Sequence, residues 1–395
     1  MKPISNRESV QVIETQAAAY HVRATIPGDT EPRIAEIHPA TEHSRCYDAA
    51  DIQKHLWFVL PGRYNAMKRL LSLVLLLVCV LGTPSLLSAS ERLMVYTSMK
   101  ESLIGKLRDA FKKKHPEVNF DYYSAGAGKL MAKIAAERQA GKMTVDVLWH
   151  SEVPDFYQLK SEGMFVKYVS PESKFVQSTV KDPEGYFTPA RLGTLGIAYN
   201  TKKVTVPPKS WQDLLDARFK NGFAIANPAL SGTAFMSVAM IADNLGWDFL
   251  QKLKANGALM GQGSGQVVDD TASGDLKGTL GVDYIVTDKM EKGANMGFFF
   301  PKEMLVIPSP VAIIKGTPNL GAAQKFIDFL LSKEGQVIIA QSGTLPVRAD
   351  VPGMGKFGLP PTADAVKRAM KLDYAKTMRD KQAIIKRFDS IMRAK

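Results

Sequence analysis

Leu93-Met94-Val95-Tyr96-Thr97-Ser98 opens the stretch that decides the fold. The first four residues read as a buried strand, and Leu103, Ile104, Leu107, Ala110 and Phe111 then fall at helical spacing. Val118, Phe120 and Tyr122 alternate as a strand does. Leu130, Met131, Ile134 and Ala135 return to the helical period, and Val145-Asp146-Val147-Leu148-Trp149 is strand again. This βαβαβ order predicts an α/β fold with a mostly parallel sheet covered by helices on both faces.

A second unit follows. Gly193 to Tyr199 predicts a strand leaving the first unit, Trp211, Leu214 and Leu215 begin a helix, and Phe223 to Ala226 is a strand. A long helix is expected from about Thr233 to Asn244, then a strand at Thr279 to Val282. Met304 to Ile307 and Val311 to Ile314 predict a return to the first unit. The tail is expected to carry helices near 319–331, 334–341, 362–377 and 379–393. Their apolar faces are read as packing across the molecule.

Upstream, Met67-Lys68-Arg69 followed by apolar residues from Leu70 to Val80, with small residues at Ser88, Ala89 and Ser90, has the form of a secretory signal over 67–90. Gly82-Thr83-Pro84-Ser85 breaks the apolar run short of the ~20 residues that a spanning helix needs. Cys79 invites a lipid-anchored alternative, but Val78 is larger than such processing normally accepts. Residues 1–66 carry scattered prolines and no sustained period, and are read as a mis-assigned or disordered extension. Both cysteines, Cys46 and Cys79, then fall outside the mature chain, which excludes a thiolate enzyme or a cysteine-ligated zinc site.

The chain of 395 residues carries a net charge of +12, from 51 Lys and Arg against 39 Asp and Glu. Residues 1–90 hold 9 bases and 8 acids, so 91–395 keep 42 against 31. The basicity belongs to the globular part. In an exported protein it points to an anionic ligand or surface, with no nucleic-acid partner expected.

The succession of segments resembles the periplasmic substrate-binding proteins of ABC importers, in the type II group that holds ferric-iron, phosphorylated-sugar and aminophosphonate binders. The residues carrying the resemblance are Val95-Tyr96-Thr97-Ser98, Asp146 to Trp149, Gly196-Ile197-Ala198-Tyr199-Asn200 and Trp211 to Leu215. Asn227-Pro228 with Ser231-Gly232-Thr233, Ser309 to Ile313, and Phe326 to Ser332 with Glu334-Gly335-Gln336 continue it across nearly all of 91–395. The resemblance implies two lobes, 91–192 with 304–395 and 193–303, and a ligand cleft between them that closes on binding. It also implies a monomer that delivers its solute to a membrane permease.

Ligands of open α/β sheets bind beyond the carboxyl ends of strands. That places Thr97-Ser98, Ser124-Ala125-Gly126, His150-Ser151-Glu152, Asn227 to Thr233 and Asp283-Tyr284 at the expected cleft. Ser231-Gly232-Thr233 leads into a helix, where free N–H groups and the helix dipole suit an anion; a plain N-cap is the structural alternative. Thr97 and Ser98 follow the same logic, and Ser151 joins them on the first lobe. Arg191 is placed to meet an anion bidentately, or to be a solvated loop arginine. Asp283 suits hydroxyls or an ammonium, or caps the next turn. Tyr284 stands alone where the ferric relatives carry two adjacent tyrosines, which weakens an iron reading. Tyr122-Tyr123 do not replace them, because adjacent strand residues point to opposite faces.

Ala125-Gly126-Ala127-Gly128-Lys129-Leu130 imitates a phosphate loop but lacks its first glycine and the hydroxyl after the lysine. Gly261 to Gly265 lacks the spacing of a nucleophile elbow. His115 and His150 are too far apart to form a metal motif. The expectation is therefore a non-enzymatic binder of a phosphate- or phosphonate-bearing solute, with no catalytic residues, metal or cofactor. Fe(III) with a synergistic anion is the alternative ligand, and an exported phosphoester-acting enzyme the alternative class.

Overall fold

A computed structural model describes residues 91–176 and 181–394, and three short strands ahead of them. The chain forms two compact units, Met1–Ser85 and Leu86–Lys395. In the first, β1 (Val10–Glu14), β2 (Tyr20–Ala24) and β3 (Arg33–Ile37) make an antiparallel meander, Val12 opposite Val22 and Val22 opposite Ala35. The signal segment and both cysteines lie outside the described residues. Among those described, no helix is long and apolar enough to cross a membrane.

The second unit begins with β4 (Glu91–Thr97), α1 (Glu101–Lys114), β5 (Val118–Ser124), α2 (Ala127–Gln139), β6 (Val147–Trp149), α3 (Val153–Ser161) and the short β7 (Phe165–Val166). β4 pairs in parallel with both β5 and β6. Helix α1 shows why the sequence takes this form. Leu103, Ile104, Leu107 and Phe111 bury one face, while Glu101 in the first turn and Lys112 to Lys114 in the last complement the helix dipole. The 13-residue β8 (Thr188–Asn200) then leads to the other half: β9 (Phe223–Ala226), α4 (Gly232–Asn244), α5 (Trp247–Ala255), β10 (Leu259–Gly261), α6 (Ser264–Ser273), β11 (Gly278–Val282), α7 (Asp283–Glu291) and β12 (Met296–Phe299). β13 (Leu305–Ile314) returns, followed by α8 (Leu320–Leu331), α9 (Lys333–Gln341), α10 (Thr362–Lys367) and α11 (Tyr374–Arg393).

One sheet runs β10-β9-β11-β8-β13-β6-β4-β5, with β12 on β8 and β7 on β13. The sheet is mixed: β10-β9-β11 and β6-β4-β5 are each parallel, while β8 and β13 pair antiparallel with each other and with β11 and β6 beside them. Two expected helices differ. Gln212–Leu215 is a single 3₁₀ turn, because Asn256 Nδ2 takes up the carbonyls of Leu214 and Asp216 at 3.0 Å and the chain extends at Asp216. The helix expected over 362–377 breaks after Lys367. Met304 N–H donates to Arg368 O and Met370 N–H to Met304 O, both at 2.8 Å, so Ala369 forms an isolated parallel bridge with Met304 before Asp373 caps α11.

The crossing of β8 and β13 is the mechanical centre. Pro308 faces Leu192, Ser309 faces Arg191, and after a bulge Pro310 faces Pro189. Three prolines remove backbone donors here, which thins the ladder and lets the pair bend. Arg191 and Asp283, 1% and 0% exposed, fasten this thin point. Arg191 Nη1 donates to Asp283 Oδ1 at 3.1 Å and to Thr344 Oγ1 at 2.6 Å. The other carboxylate oxygen accepts from Thr194 N–H at 2.8 Å, Thr194 Oγ1 at 3.1 Å and Thr344 Oγ1 at 2.6 Å.

Removing one partner of such a pair strands a buried charge. Asp283→Ala should cost roughly 3–5 kcal/mol, whereas removing both charges in Arg191→Met/Asp283→Ala should cost less. Urea unfolding of the three proteins checks this, and a single variant within about 1 kcal/mol of wild type would show that the pair holds nothing.

Candidate ligand cleft

The two halves touch backbone to backbone. A Cβ added at Gly126 would sit 2.0 Å from Leu230 O, and one at Gly128 would sit 2.2 Å from Ala229 O. One added at Gly232 would sit 2.8 Å from Glu152 Cβ and 3.0 Å from Ala127 Cβ. The glycine run that imitates a phosphate loop is thus the seam along which the two halves meet.

Beside the seam three hydroxyls converge. Ser231 Oγ lies 2.7 Å from Ser264 Oγ, Thr233 Oγ1 lies 2.9 Å from Ser264 Oγ, and Ser231 and Thr233 are 3.1 Å apart. Ser231 is also the N-cap of α4, accepting a long 3.4 Å hydrogen bond from Ala234 N–H, so the capping reading and the seat reading coexist. Ser264 opens α6, which brings two helix N-termini to one place. The exposed Lys100 reaches over from the first half, its Nζ 3.8 Å and its Cε 3.3 Å from where a Cβ on Gly265 would lie. An ammonium at the positive end of a helix is unfavourable unless negative charge joins it. Among the described residues Lys100 makes no ion pair. Three rotatable hydroxyls, two helix starts and an uncompensated cation together suit an oxyanion. Sequence reasoning missed Ser264 and Lys100. The available signal was Gly263-Ser264-Gly265 at a helix start, a pattern tested only as a nucleophile elbow.

The remaining sequence-predicted residues lie elsewhere. Ser151 is buried, sharing a 2.8 Å hydrogen bond with Ser309 Oγ, and Arg191 Nη2 donates to its hydroxyl at 3.4 Å. Ser151, Arg191 and Asp283 thus form one buried group under the strand crossing, away from solvent. Tyr284 joins them, with the Arg191 guanidinium 5.0 Å from its ring centre. Its hydroxyl accepts from Lys100 N–H at 2.9 Å, a bond that crosses between the halves. Burial pushes the Tyr284 phenol up to about 12, so it is neutral at pH 7. Thr97 is buried, its Oγ1 accepting from Met99 N–H at 3.1 Å, and Ser98 is half-buried, its N–H donating to Trp149 O at 3.1 Å. These two shape the turn that carries Lys100. Tyr122 packs on the core while Tyr123 is exposed, as opposite strand faces require.

A second charged group is buried at the same strand ends. Lys381 of α11 donates to Asp155 Oδ1 at 2.6 Å and pairs with Glu152 Oε1, and His150 Nε2 lies 3.7 Å from Asp155 Oδ2. Asp155 Oδ2 and both His150 nitrogens have no hydrogen-bond partner, and Glu152 Oε1 meets the Lys381 ammonium. Burial first, and the neighbouring Asp155 second, push the Glu152 carboxyl up to about 8. Burial likewise pulls His150 down to about 4.

The bacterial extracellular solute-binding protein family model matches residues 144–373. A putative 2-aminoethylphosphonate-binding periplasmic protein of Salmonella typhimurium is 29% identical over 255 residues, which cover 62% of this chain and 73% of that protein. Among solved structures, the fructose-6-phosphate-bound periplasmic protein AfuA of Actinobacillus pleuropneumoniae superposes with a TM-score of 0.67 at 24% identity, covering 77% of this chain and 99% of AfuA. Iron-bound HitA of Pseudomonas aeruginosa gives 0.64 at 26% identity, covering 76% and 99%. The shared architecture is the two-lobed α/β fold of periplasmic binding proteins, and these relatives are binding proteins.

The buried acid dictates a pH dependence. Glu152 binds its proton more tightly folded than unfolded, so its contribution is fully present below about 4.5 and is lost as pH rises toward 8. His150, depressed from 6.5, opposes this only below about 6.5. Thermal stability should therefore fall from pH 6.5 to 8.5 in the wild type, and Glu152→Gln should flatten that slope. Parallel slopes in the two proteins would contradict it.

Proposed function

We propose a ligand and a mechanism for this chain from one premise: it belongs to the bacterial extracellular solute-binding protein family. It captures a small solute carrying a phosphate or phosphonate group and hands it, outside the cytoplasm, to the permease of an ABC importer. The observation that carries this reading is the convergence of Ser231, Thr233 and Ser264 at two helix N-termini beside the unpaired Lys100.

In the proposed complex the anion's oxygens accept from the three hydroxyls and from free N–H groups at the starts of α4 and α6, with Gly232 giving close access to the backbone. Lys100 adds charge from the other lobe. Because donors come from both lobes, the anion is held fully only when the cleft is shut, and that difference in affinity drives closure. Ser151, Arg191, Asp283 and Tyr284 act beneath the ligand, as the fastening of the hinge. Thr97 and Ser98 set the turn that presents Lys100. Residues 91–192 with 304–395 serve as one lobe and 193–303 as the other, with α11 lying across both.

The phosphonate-binding relative and the sugar-phosphate-bound structural neighbour support the ligand class. Ferric ion finds less support, since the tyrosine at the strand end is a buried, neutral phenol under a guanidinium.

Thermal unfolding of the stripped protein against 2-aminoethylphosphonate, fructose 6-phosphate, inorganic phosphate and Fe(III)-citrate tests the ligand. A saturable rise with a phosphorus oxyanion is expected, reaching about 2.7 kcal/mol of stabilisation at a hundred times Kd. Ser231→Ala/Thr233→Ala/Ser264→Ala should lose it. A response to Fe(III) alone would replace the oxyanion, and phosphate released from a phosphoester would replace the binding role with catalysis. The seam gives a separate check. Gly128→Ala favours α2 by about 1 kcal/mol yet collides with Ala229 O on closure. It should keep the ligand-free melting temperature and weaken binding severely; unchanged affinity would mean that binding does not need this closed form.

A further inference from the structure

The seat has a carboxylate built against it. Glu152 is 2% exposed, and its Oε2 lies 3.1 Å from where a Cβ on Gly232 would be. Gly232 is the residue between the two seat hydroxyls Ser231 and Thr233. Once Glu152 is ionised, a negative charge so close opposes an incoming anion, and little water intervenes to screen it. Asp155, also buried, adds a second carboxylate to the same group.

The cation that meets both carboxylates comes from the far end of the chain. Helix α11 lays Lys381 against Asp155 Oδ1 and Glu152 Oε1 of the first lobe, with its ammonium 5.6 Å from the ring centre of Phe235 on α4 of the second. The helix, and the chain leading into it, are held on either side of that contact. Arg387 stacks 4.5 Å over Trp247, and Asn244 Nδ2 donates to Lys371 O at 2.9 Å. Lys381 therefore has little freedom to withdraw.

We propose that Lys381 is an affinity-determining positioning residue, neutralising the Glu152–Asp155 carboxylate pair so that an oxyanion can occupy the Ser231–Thr233–Ser264 seat. The inference rests on the oxyanion reading of that seat. Lys381 does not touch the ligand; it acts through Glu152. The titratable groups facing Glu152 are His150 at the end of β6, Asp155 on α3 and Lys381 on α11, while α4 brings Gly232 and Phe235. Without Lys381, Glu152 keeps its proton to higher pH, and once ionised it repels the anion with no cation to offset it.

Calorimetric titrations with 2-aminoethylphosphonate and with inorganic phosphate, at pH 7 and pH 9, compare wild type, Lys381→Met, Glu152→Gln, Glu152→Gln/Lys381→Met and the triple seat variant. At pH 9 Lys381→Met should bind roughly ten-fold more weakly or worse, with a smaller deficit at pH 7, where Glu152 holds its proton in both proteins. The double variant should recover to within about three-fold of wild type, and it keeps the test sound if Lys381→Met alone folds poorly. At pH 9, wild-type affinity in Lys381→Met, or a double variant no better than the single, overturns the proposal. A gain for 2-aminoethylphosphonate alongside a loss for phosphate also overturns it, by making Glu152 a partner for the ligand's ammonium. If the seat variant loses binding while Lys381→Met keeps it, this inference alone fails. If the seat variant binds like wild type, or wild type binds neither probe, the oxyanion reading fails first.

Discussion

A guanidinium and a carboxylate sealed from water at the crossing of two long strands hold the two lobes in register. Arg191 comes from β8 and Asp283 from the first residue of α7, and Thr344 and Thr194 complete the carboxylate's partners. Such a pair gains little net free energy over apolar packing, but it tolerates no misplacement, because either charge alone is costly in that setting. The position is telling. Pro189, Pro308 and Pro310 leave the local ladder short of backbone hydrogen bonds, so the chain is both bendable and pinned at one point. In the proposed closure, a joint of this kind turns about the pair.

Everything in the cleft follows from that joint. Tyr284, next to Asp283, accepts a hydrogen bond from the backbone of Lys100 in the other lobe, so the turn carrying the ammonium is referenced to the hinge. The hydroxyls of Ser231, Thr233 and Ser264 sit on a different pair of helices, and in the proposed complex they share the anion with Lys100. In that proposal binding and closure are one event, since the donors are complete in one arrangement of the lobes.

Much of this was legible from residue order. The strand and helix periods from Leu93 to Trp149 gave the parallel half-sheet, and strand-end logic picked out Ser231 to Thr233, Asp283 and Tyr284 before any coordinates. What it did not separate was a residue at the cleft from one beneath it. Arg191 and Asp283 look like ligand groups because both are charged and both lie near strand ends; that they find each other is a long-range fact set by how α7 packs on β8. Ser264 and Lys100 were missed for a related reason. Neither carries a motif, and each acquires meaning only beside a partner far away in sequence. The tail misled in another way: Ala365, Val366, Ala369 and Met370 keep an apolar pattern, yet pairing with Met304 wins over helix propensity at residues 368–370.

The seam of Gly126, Gly128 and Gly232 has a bearing on ligand size. Where two lobes close through side chains, rotamers can yield to a bulky guest. Here carbonyl oxygens of Ala229 and Leu230 rest against bare backbone, which has no rotamers to give. A solute too long by about the width of one methyl group would prop the seam open and keep Tyr284 from Lys100. The backbone contact thus acts as a feeler gauge, converting a small excess in ligand dimension into a gap at a place that the ligand itself never touches.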